Sequence, residues 1–460
     1  MLLLKFGGKS LANGRGIENV ISIITSHINS TTNIAVVLSA RGNSTNDLEI
    51  FLDLAKNGKD FSLKWDAFKL YQITPYVNVD LSHEFDLLEN IFNSVKLAKD
   101  YCSKTKDLIL AQGEILSTKL VAAILNNNGI NSIAVDSRLF LKTDSSFGDA
   151  NLVDAISAKK TVDFFNSLDN NLLPIITGFI ASNNANETTT LGRNGSNYSA
   201  SIIANYLNAS KIKSFTHVNG IYTANPDNVS NATLIEHLSF AEANVLANFG
   251  ASILHPKTIS PLVDKDIPLQ ILNSFNCDNN GTTISSFNTC NYIKSIAVQN
   301  NISVITLNGF ALSKFKNRIF NVLRLLHINV FSISYYFSKT NFSFVIPNTH
   351  TNNVISALNS EFTLEFFNSK INSISANNNF SVVTIIGRNA TSSSSIFRNL
   401  TTNNIPVILT NKNCSGNNVG FITANNLVGK AVNIIHSEIF SVPKKINVFS
   451  LIKKKLALSS

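Results

Sequence analysis

At 460 residues, with 44% hydrophobic and 15% charged residues, the chain is long enough for two or three domains with a sizeable core under an unusually uncharged surface. The formal net charge of +9 comes from scattered lysines with no aromatic-interleaved basic stripe, which argues against a nucleic-acid binder. No stretch approaches the roughly 18 uninterrupted apolar residues that mark a transmembrane helix.

The chain opens on the apolar run Met1-Leu2-Leu3-Leu4, then Lys5-Phe6-Gly7-Gly8-Lys9-Ser10, then a segment able to form a helix. A buried strand that breaks on two glycines gathers bare N–H groups at its carboxyl end, and a lysine at that edge can reach an anion held there. Alone, such a strand end is more often a plain tight turn. The run 33–38 is a second buried strand, and it opens into Ser39-Ala40-Arg41-Gly42-Asn43-Ser44-Thr45-Asn46. Ligands of open α/β sheets sit at such strand ends, so Ser39 and Thr45 either donate to a small carboxylate or cap the next helix. From Trp65 to about Lys106 the pattern is helical, with Phe85, Leu88, Ile91 and Phe92 on one stripe. Gln112 to Ser117 leads into a further helix that ends at Asn126-Asn127-Asn128-Gly129. Glu114 reads as a first-turn residue there, favoured by the helix dipole or held as a partner for a substrate ammonium.

Two more short strands follow at 132–136 and 173–177. The second runs through Gly178 and Phe179 to Thr188-Thr189-Thr190-Leu191-Gly192-Arg193-Asn194-Gly195-Ser196-Asn197, where glycines flank an arginine and a helix starts at Ser196 or Asn197. An arginine fork beside exposed N–H groups suits a carboxylate or phosphate. His255 before Pro256 reads as packing or as a turn cap, and His27, His83 and His237 as surface helix residues.

Six segments in order over some 260 residues resemble the aspartate kinases of the amino-acid kinase fold, and most closely the kinase half of bifunctional aspartokinase–homoserine dehydrogenases. Residues 5–10 resemble Lys-Phe-Gly-Gly-Thr-Ser, and 37–46 a Val-x-Ser-Ala loop ending in Thr-Asn. Residues 113–117 resemble Gly-Glu-x-Leu-Ser, and 189–200 Thr-Thr-Leu-Gly-Arg-x-Gly-Ser-Asp. Residues 216–226 resemble Thr-Asp-Val-Asp-Gly-x-Tyr-Thr-x-Asp-Pro, and 249–261 Phe-Gly-Ala-Lys-x-Leu-His-Pro-x-Thr. The resemblance implies an open, mainly parallel sheet with helices on both faces over 1–275, and transfer of the ATP γ-phosphoryl to the β-carboxylate of L-aspartate. It makes this the first step towards lysine, threonine and methionine, with Mg²⁺ bridging the nucleotide phosphates. It assigns Lys5 to charge neutralisation, Gly7, Gly8 and Ser10 to the phosphates, and Thr216 and Tyr222 to the nucleotide. Glu114 would take the substrate ammonium and Arg193 a carboxylate, with Ser39, Thr45, Phe179, Gly195 and Ser196 completing the aspartate pocket. No protein metal ligands are implied.

Departures from these motifs cluster on the nucleotide side: Lys9 for threonine, Asn197, His217 and Asn219 for aspartates, Asp227 for arginine and Ser252 for lysine. They predict weakened ATP binding, with Lys9 offsetting part of the loss, or else a decayed amino-acid-binding or assembly subunit. A polar linker at 276–293 leads to two β-α-β-β-α-β patterns, at 294–366 and 367–444, similar to the ferredoxin-like ACT domains that bind amino-acid effectors such as threonine or lysine and form homodimers or larger homo-oligomers. Tyr335 and Asn411 stand near positions where that family grips threonine with glutamine, and glycines are sparse around Ala311 to Lys316. Weak or absent threonine control is therefore expected. Residues 445–451 resemble the first strand of a dehydrogenase domain, but Ile452-Lys453-Lys454-Lys455 follows in place of a glycine turn, so the basic tail 445–460 reads as a remnant. Cys102, Cys277, Cys290 and Cys414 lack metal-site or CxxC spacing, and Met1 to Leu4 is too short for a secretory h-region. Both point to reduced thiols in a cytoplasmic protein.

Overall fold

The computed structural model describes residues 1–440 apart from 31–32, 74–78, 250–253, 287–291, 327, 329, 336–339, 389, 391–393 and 413–417. Ser252, Cys290, Cys414 and the tail 445–460 therefore lie outside the described residues, as do the side chains of Tyr335 and Asn411. Two compact units emerge, and the chain does not divide between them at a single cut. The first comprises 1–221, 234–247 and 252–289, and the second 222–233, 248–251 and 290–460.

The first unit is built on β1 (Leu2–Phe6), whose fully apolar stem sits between two parallel neighbours, β2 (Ile34–Leu38) and β7 (Lys211–Thr216). Between these in sequence come α1 (Asn13–Ile28), α2 (Ser44–Lys56), α3 (Ser62–Gln72), α4 (Ser82–Ala98), α5 (Ser103–Asn127), β3 (Ser132–Val135), α6 (Asp154–Ser167), β4 (Leu173–Thr177), β5 (Ile180–Ser182), β6 (Thr188–Thr190) and α7 (Gly195–Tyr206). After β7 follow β8 (His237–Ser239), α8 (Phe240–Asn248), α9 (Pro256–Val263), β9 (Leu269–Asn273) and β10 (Thr282–Ser285). The eight-stranded sheet runs β3-β4-β2-β1-β7-β9-β10-β8, and only the β9–β10 pairing is antiparallel. One face packs Leu4, Phe6, Val36, Leu38 and Ile175 against α1 and α5, while α7 touches β1, β2 and β7. Near-continuous apolar strands buried on both faces are what a covered parallel sheet requires.

The helical stretch expected from Trp65 to Lys106 divides into α3 and α4, with α5 beginning at Ser103, and the stripe Phe85, Leu88 and Phe92 is buried as read. Glu114 is not in a first turn. It sits midway along α5, so the dipole does not account for it. Gly113 beside it has a packing reason: a Cβ there would lie 2.8 Å from the Cβ of Ala40. Among the described residues, α5 is also the one helix long and apolar enough to cross a bilayer, and it is mostly buried within the protein. His237 lies in strand β8 rather than in a helix, and His255 caps α9 by accepting from the Lys257 N–H. Cys102 and Cys277 are free and exposed.

The second unit carries β11 (Ile293–Gly309), α10 (Lys316–Leu325), β12 (Ser332–Tyr335), β13 (Asn341–Pro347), α11 (Thr351–Glu361), α12 (Thr363–Phe367), β14 (Ile371–Gly387), α13 (Ser394–Thr402), β15 (Leu409–Lys412), β16 (Asn418–Ala424) and α14 (Val428–Phe440). Its two repeats share one antiparallel sheet, ordered β12-β13-β11-β14-β16-β15. β11 and β14 are each 17 residues long and pair along most of their length. The first half of each long strand pairs with the second half of the other, which gives both repeats a fourth strand. Residues 222–233 join this unit: Ala224 and Val229 are in the core of the second repeat, and Thr223 accepts from the Ile296 N–H and hydrogen-bonds His436 at 2.9 Å.

Candidate active site

The carboxyl ends of β1, β2 and β4 open on one cavity of about 800 Å³, to which α5 and the loop before α7 also contribute. Every residue assigned to the aspartate pocket lines it: Ser39, Thr45, Glu114, Phe179, Arg193, Gly195 and Ser196. Three backbone features bring them together. Ala40 N–H donates to Glu114 Oε1 at 3.0 Å, and Ser117 Oγ donates to the Ser39 carbonyl at 2.7 Å, so α5 fixes the loop after β2. Phe179 holds a left-handed φ of 66°, with its N–H on Ser199 Oγ at 2.9 Å. Such a conformation costs a non-glycine residue about 1–3 kcal/mol and persists where surrounding contacts over-determine it. A Cβ on Gly195 would lie 2.5 Å from the Phe179 ring, so the turn into α7 accepts no larger residue there.

Glu114 and Lys5 are both buried, and desolvation moves them in opposite directions. The Glu114 carboxyl is pushed up to about 8 by burial, with the Ala40 N–H and the Lys5 charge working against it. Lys5 is pushed down to about 8 by burial, partly offset by Glu114. Glu114 Oε2 has no hydrogen-bond partner among the described residues. A buried carboxylate oxygen without a donor is costly, so a cationic donor brought by a ligand would be strongly held. Arg193 is exposed on the cavity wall, and no acceptor pairs with its guanidinium among the described residues.

The glycine loop divides its work. Gly8 lines the cavity, and a Cβ there would lie 2.7 Å from the Ala40 carbonyl, so only glycine lets the loops after β1 and β2 approach so closely. Gly7 N–H instead donates to the Phe215 carbonyl at 3.1 Å, which commits it to the neighbouring strand. Ser10 is fully buried, with its hydroxyl between Phe215 O and Ser274 Oγ, where it braces the turn rather than facing the cavity. Thr216, at the end of β7, carries its hydroxyl 3.3 Å from His217 Nδ1. Tyr222 belongs to the second unit, where its carbonyl accepts from Ser295 Oγ.

Two residues here were not singled out in the sequence. Asp107 is buried in α5 and accepts from Gly148 N–H, Thr190 N–H and Thr190 Oγ1 at 2.9 to 3.0 Å, which ties the end of β6 to α5 beside the Arg193 turn. Its spacing of seven from Glu114, two helical turns on one face, was the available signal. Arg41 is buried, donates to the carbonyls of Leu11 and Tyr71, and lies over the Tyr71 ring at 4.2 Å. It clamps the loop after β2.

Comparison with known proteins bears on this arrangement. Residues 1–273 match the amino acid kinase family. Lysine-sensitive aspartokinase 3 of Escherichia coli is 32% identical over 346 residues, which cover 72% of this chain and 75% of that one. The chain belongs to the aspartokinase family. The bifunctional aspartokinase/homoserine dehydrogenase of Buchnera aphidicola is 30% identical over 98% of this chain, which spans 58% of that relative's length. Among solved structures, E. coli aspartokinase III in complex with aspartate and ADP matches with a TM-score of 0.82 at 26% identity, covering 96% of this chain and 100% of that one. The fold expected for this aspartokinase-family chain, a mainly parallel kinase sheet followed by ferredoxin-like repeats, is the one observed.

Proposed function

We propose that this chain is an aspartate kinase, which transfers the γ-phosphoryl group of MgATP to the β-carboxylate of L-aspartate to give 4-phospho-L-aspartate and ADP. The observation that carries this reading is the buried, unpartnered Glu114 Oε2 in a cavity that also presents an unpaired Arg193 among the described residues. A zwitterionic amino acid with a second carboxylate fits that arrangement. Its ammonium goes to Glu114 and its α-carboxylate to Arg193, which leaves the side-chain carboxylate for the Gly8 and Lys5 end. Ser39, Thr45, Phe179, Gly195 and Ser196 complete the walls.

The nucleophile is already an anion, so no general base is needed and positioning with charge neutralisation does the work. A carboxylate oxygen forms the new P–O bond as the bond to the β–γ bridging oxygen breaks, and the electron pair leaves with ADP. Lys5 offsets the negative charge on the transferred group, and Gly8 N–H donates to a phosphate oxygen. Thr216 and its surroundings face the rest of the nucleotide. Among the described residues no three His, Cys, Asp or Glu side chains cluster to hold a metal. Magnesium would enter as part of MgATP, where it would supply charge neutralisation on the phosphates. The reading extends to a cytoplasmic homo-oligomer assembled through the second unit, which would also hold any amino-acid effector.

Phosphoryl transfer from MgATP, with the acyl phosphate trapped as its hydroxamate, tests the assignment. Turnover with L-aspartate and none with L-glutamate is expected. Aspartate binding without turnover would identify an amino-acid-binding subunit instead.

A further inference from the structure

Two of the departures from the family motifs touch each other. Lys9 stands where the resembled loop has threonine, and His217 where the resembled nucleotide segment has aspartate. In the structure Lys9 Nζ lies 3.3 Å from His217 Nε2. The contact follows from the sheet: β1 and β7 are parallel neighbours with Phe6 opposite Phe215, so the residues just beyond each strand emerge side by side at the carboxyl edge. Both side chains are exposed there, so neither is needed for packing.

Exchanging threonine and aspartate for lysine and histidine changes the charge of this lip by two units in the positive direction. A third change continues the trend, because Asn219 replaces aspartate and its amide oxygen accepts from Asn273 and Asn276. An aspartate in place of His217 would capture the new ammonium at ion-pair distance. Histidine holds Lys9 only as a neutral acceptor, since partial desolvation at this exposed lip and the Lys9 charge both disfavour protonation of its imidazole. An anion stronger than imidazole displaces it from the ammonium.

We propose that Lys9 and His217 form one phosphate-binding pair in which Lys9 supplies an ammonium to the nucleotide phosphates and His217 orients it without neutralising it. The inference rests on the kinase reading for its ligand, but not on turnover for its test. It extends the expectation that Lys9 offsets part of the loss on the nucleotide side: at this lip the substitutions replace negative charge by positive charge.

Calorimetric titration of the full chain with MgADP, with L-aspartate titrated separately, decides the matter. Lys9→Thr is expected to weaken MgADP binding roughly tenfold, the value of one hydrogen bond to a charged group, with aspartate affinity and thermal midpoint unchanged. His217→Asp is expected to cause a comparable loss, because the introduced carboxylate ties down the ammonium. The double variant should lose less than the product of the two single losses, since that carboxylate then has no ammonium left to capture. MgADP affinity within about twofold of wild type in Lys9→Thr, fully multiplicative losses, or a wild-type chain that does not bind MgADP would each overturn the pair. Failure to make the acyl phosphate while these binding losses persist would overturn only the kinase reading.

Discussion

Burial shifts Lys5 and Glu114 in opposite directions, each towards its neutral form. In the free protein Glu114 holds its proton below about 8, whereas an incoming ammonium requires the carboxylate. Aspartate binding at neutral pH should therefore release close to one proton, seen as a dependence of the calorimetric heat on buffer ionisation enthalpy, and Glu114→Gln should abolish both that release and most of the affinity. Lys5 loses its proton above about 8, so transfer should slow on the alkaline side. Linkage gives the stability signs. Glu114 has a raised folded pKa, so the folded chain binds the extra proton between the ordinary carboxyl range and about 8, and stability falls as pH rises through that window. Lys5 has a lowered one, so stability rises with pH from about 8 towards the ordinary lysine range. Lys5→Ala should reduce turnover by on the order of 10³ or more while leaving the thermal midpoint equal or higher, because it removes a buried charge. Activity retained in that variant would refute the role given to Lys5.

The elements that place these residues do so by close approach, and small changes at the contacts should propagate. Gly113→Ala puts a methyl against Ala40 and would push the loop after β2 away from α5, stretching the hydrogen bond from Ala40 N–H to Glu114. A loss of about 1–3 kcal/mol in urea unfolding is expected, together with a raised KM for aspartate. In the second unit, the turn that leads into α10 contains Ala311 at a φ of 52°, exposed and without a glycine's freedom. Ala311→Gly should stabilise that unit by about 1 kcal/mol. The same turn is where glycines of an effector loop were found sparse, and kinase activity is expected to be insensitive to threonine. Strong inhibition by low threonine would show that a different loop geometry serves the same purpose. The exchange between β11 and β14 also leaves a polar mark. Ser303 Oγ donates to Asn378 Oδ1 and Ser381 Oγ to Asn300 Oδ1, two equivalent bonds across the crossing of the repeats.

At the scale of the whole molecule, each unit keeps its own core, and the chain passes between them more than once. His436 anchors one such passage in the second unit: it is fully buried, bonded to Thr223, and held from protonation by desolvation. The unfolded chain binds more protons than the folded one below the ordinary histidine range, so acid should destabilise this unit, and His436→Leu should flatten its unfolding midpoint between about pH 7 and 5. An unchanged acid dependence in that variant would assign the effect to other groups. The sequence by itself determined the strands that end on Gly7-Gly8, Ser39 and Gly178, the repeated pattern after 293, and a set of residues from Ser39 to Ser196 that the structure brings to the wall of one cavity, because apolar period, glycine position and motif order are local properties of the chain. It misplaced Glu114 in a first turn, because the apolar pattern does not show that the helix already begins at Ser103, and the need for glycine at 113 comes from contact with Ala40. It also assigned Gly7 and Ser10 to a ligand although β7 takes up their hydrogen bonds, and it did not show that residues 222–233, which fall within the amino acid kinase match, pack with the second unit. Only the tertiary structure decided these points, together with the meeting of Lys9 and His217 from opposite ends of the kinase sequence, because each depends on which strand lies beside β1 and on what burial does to a charge.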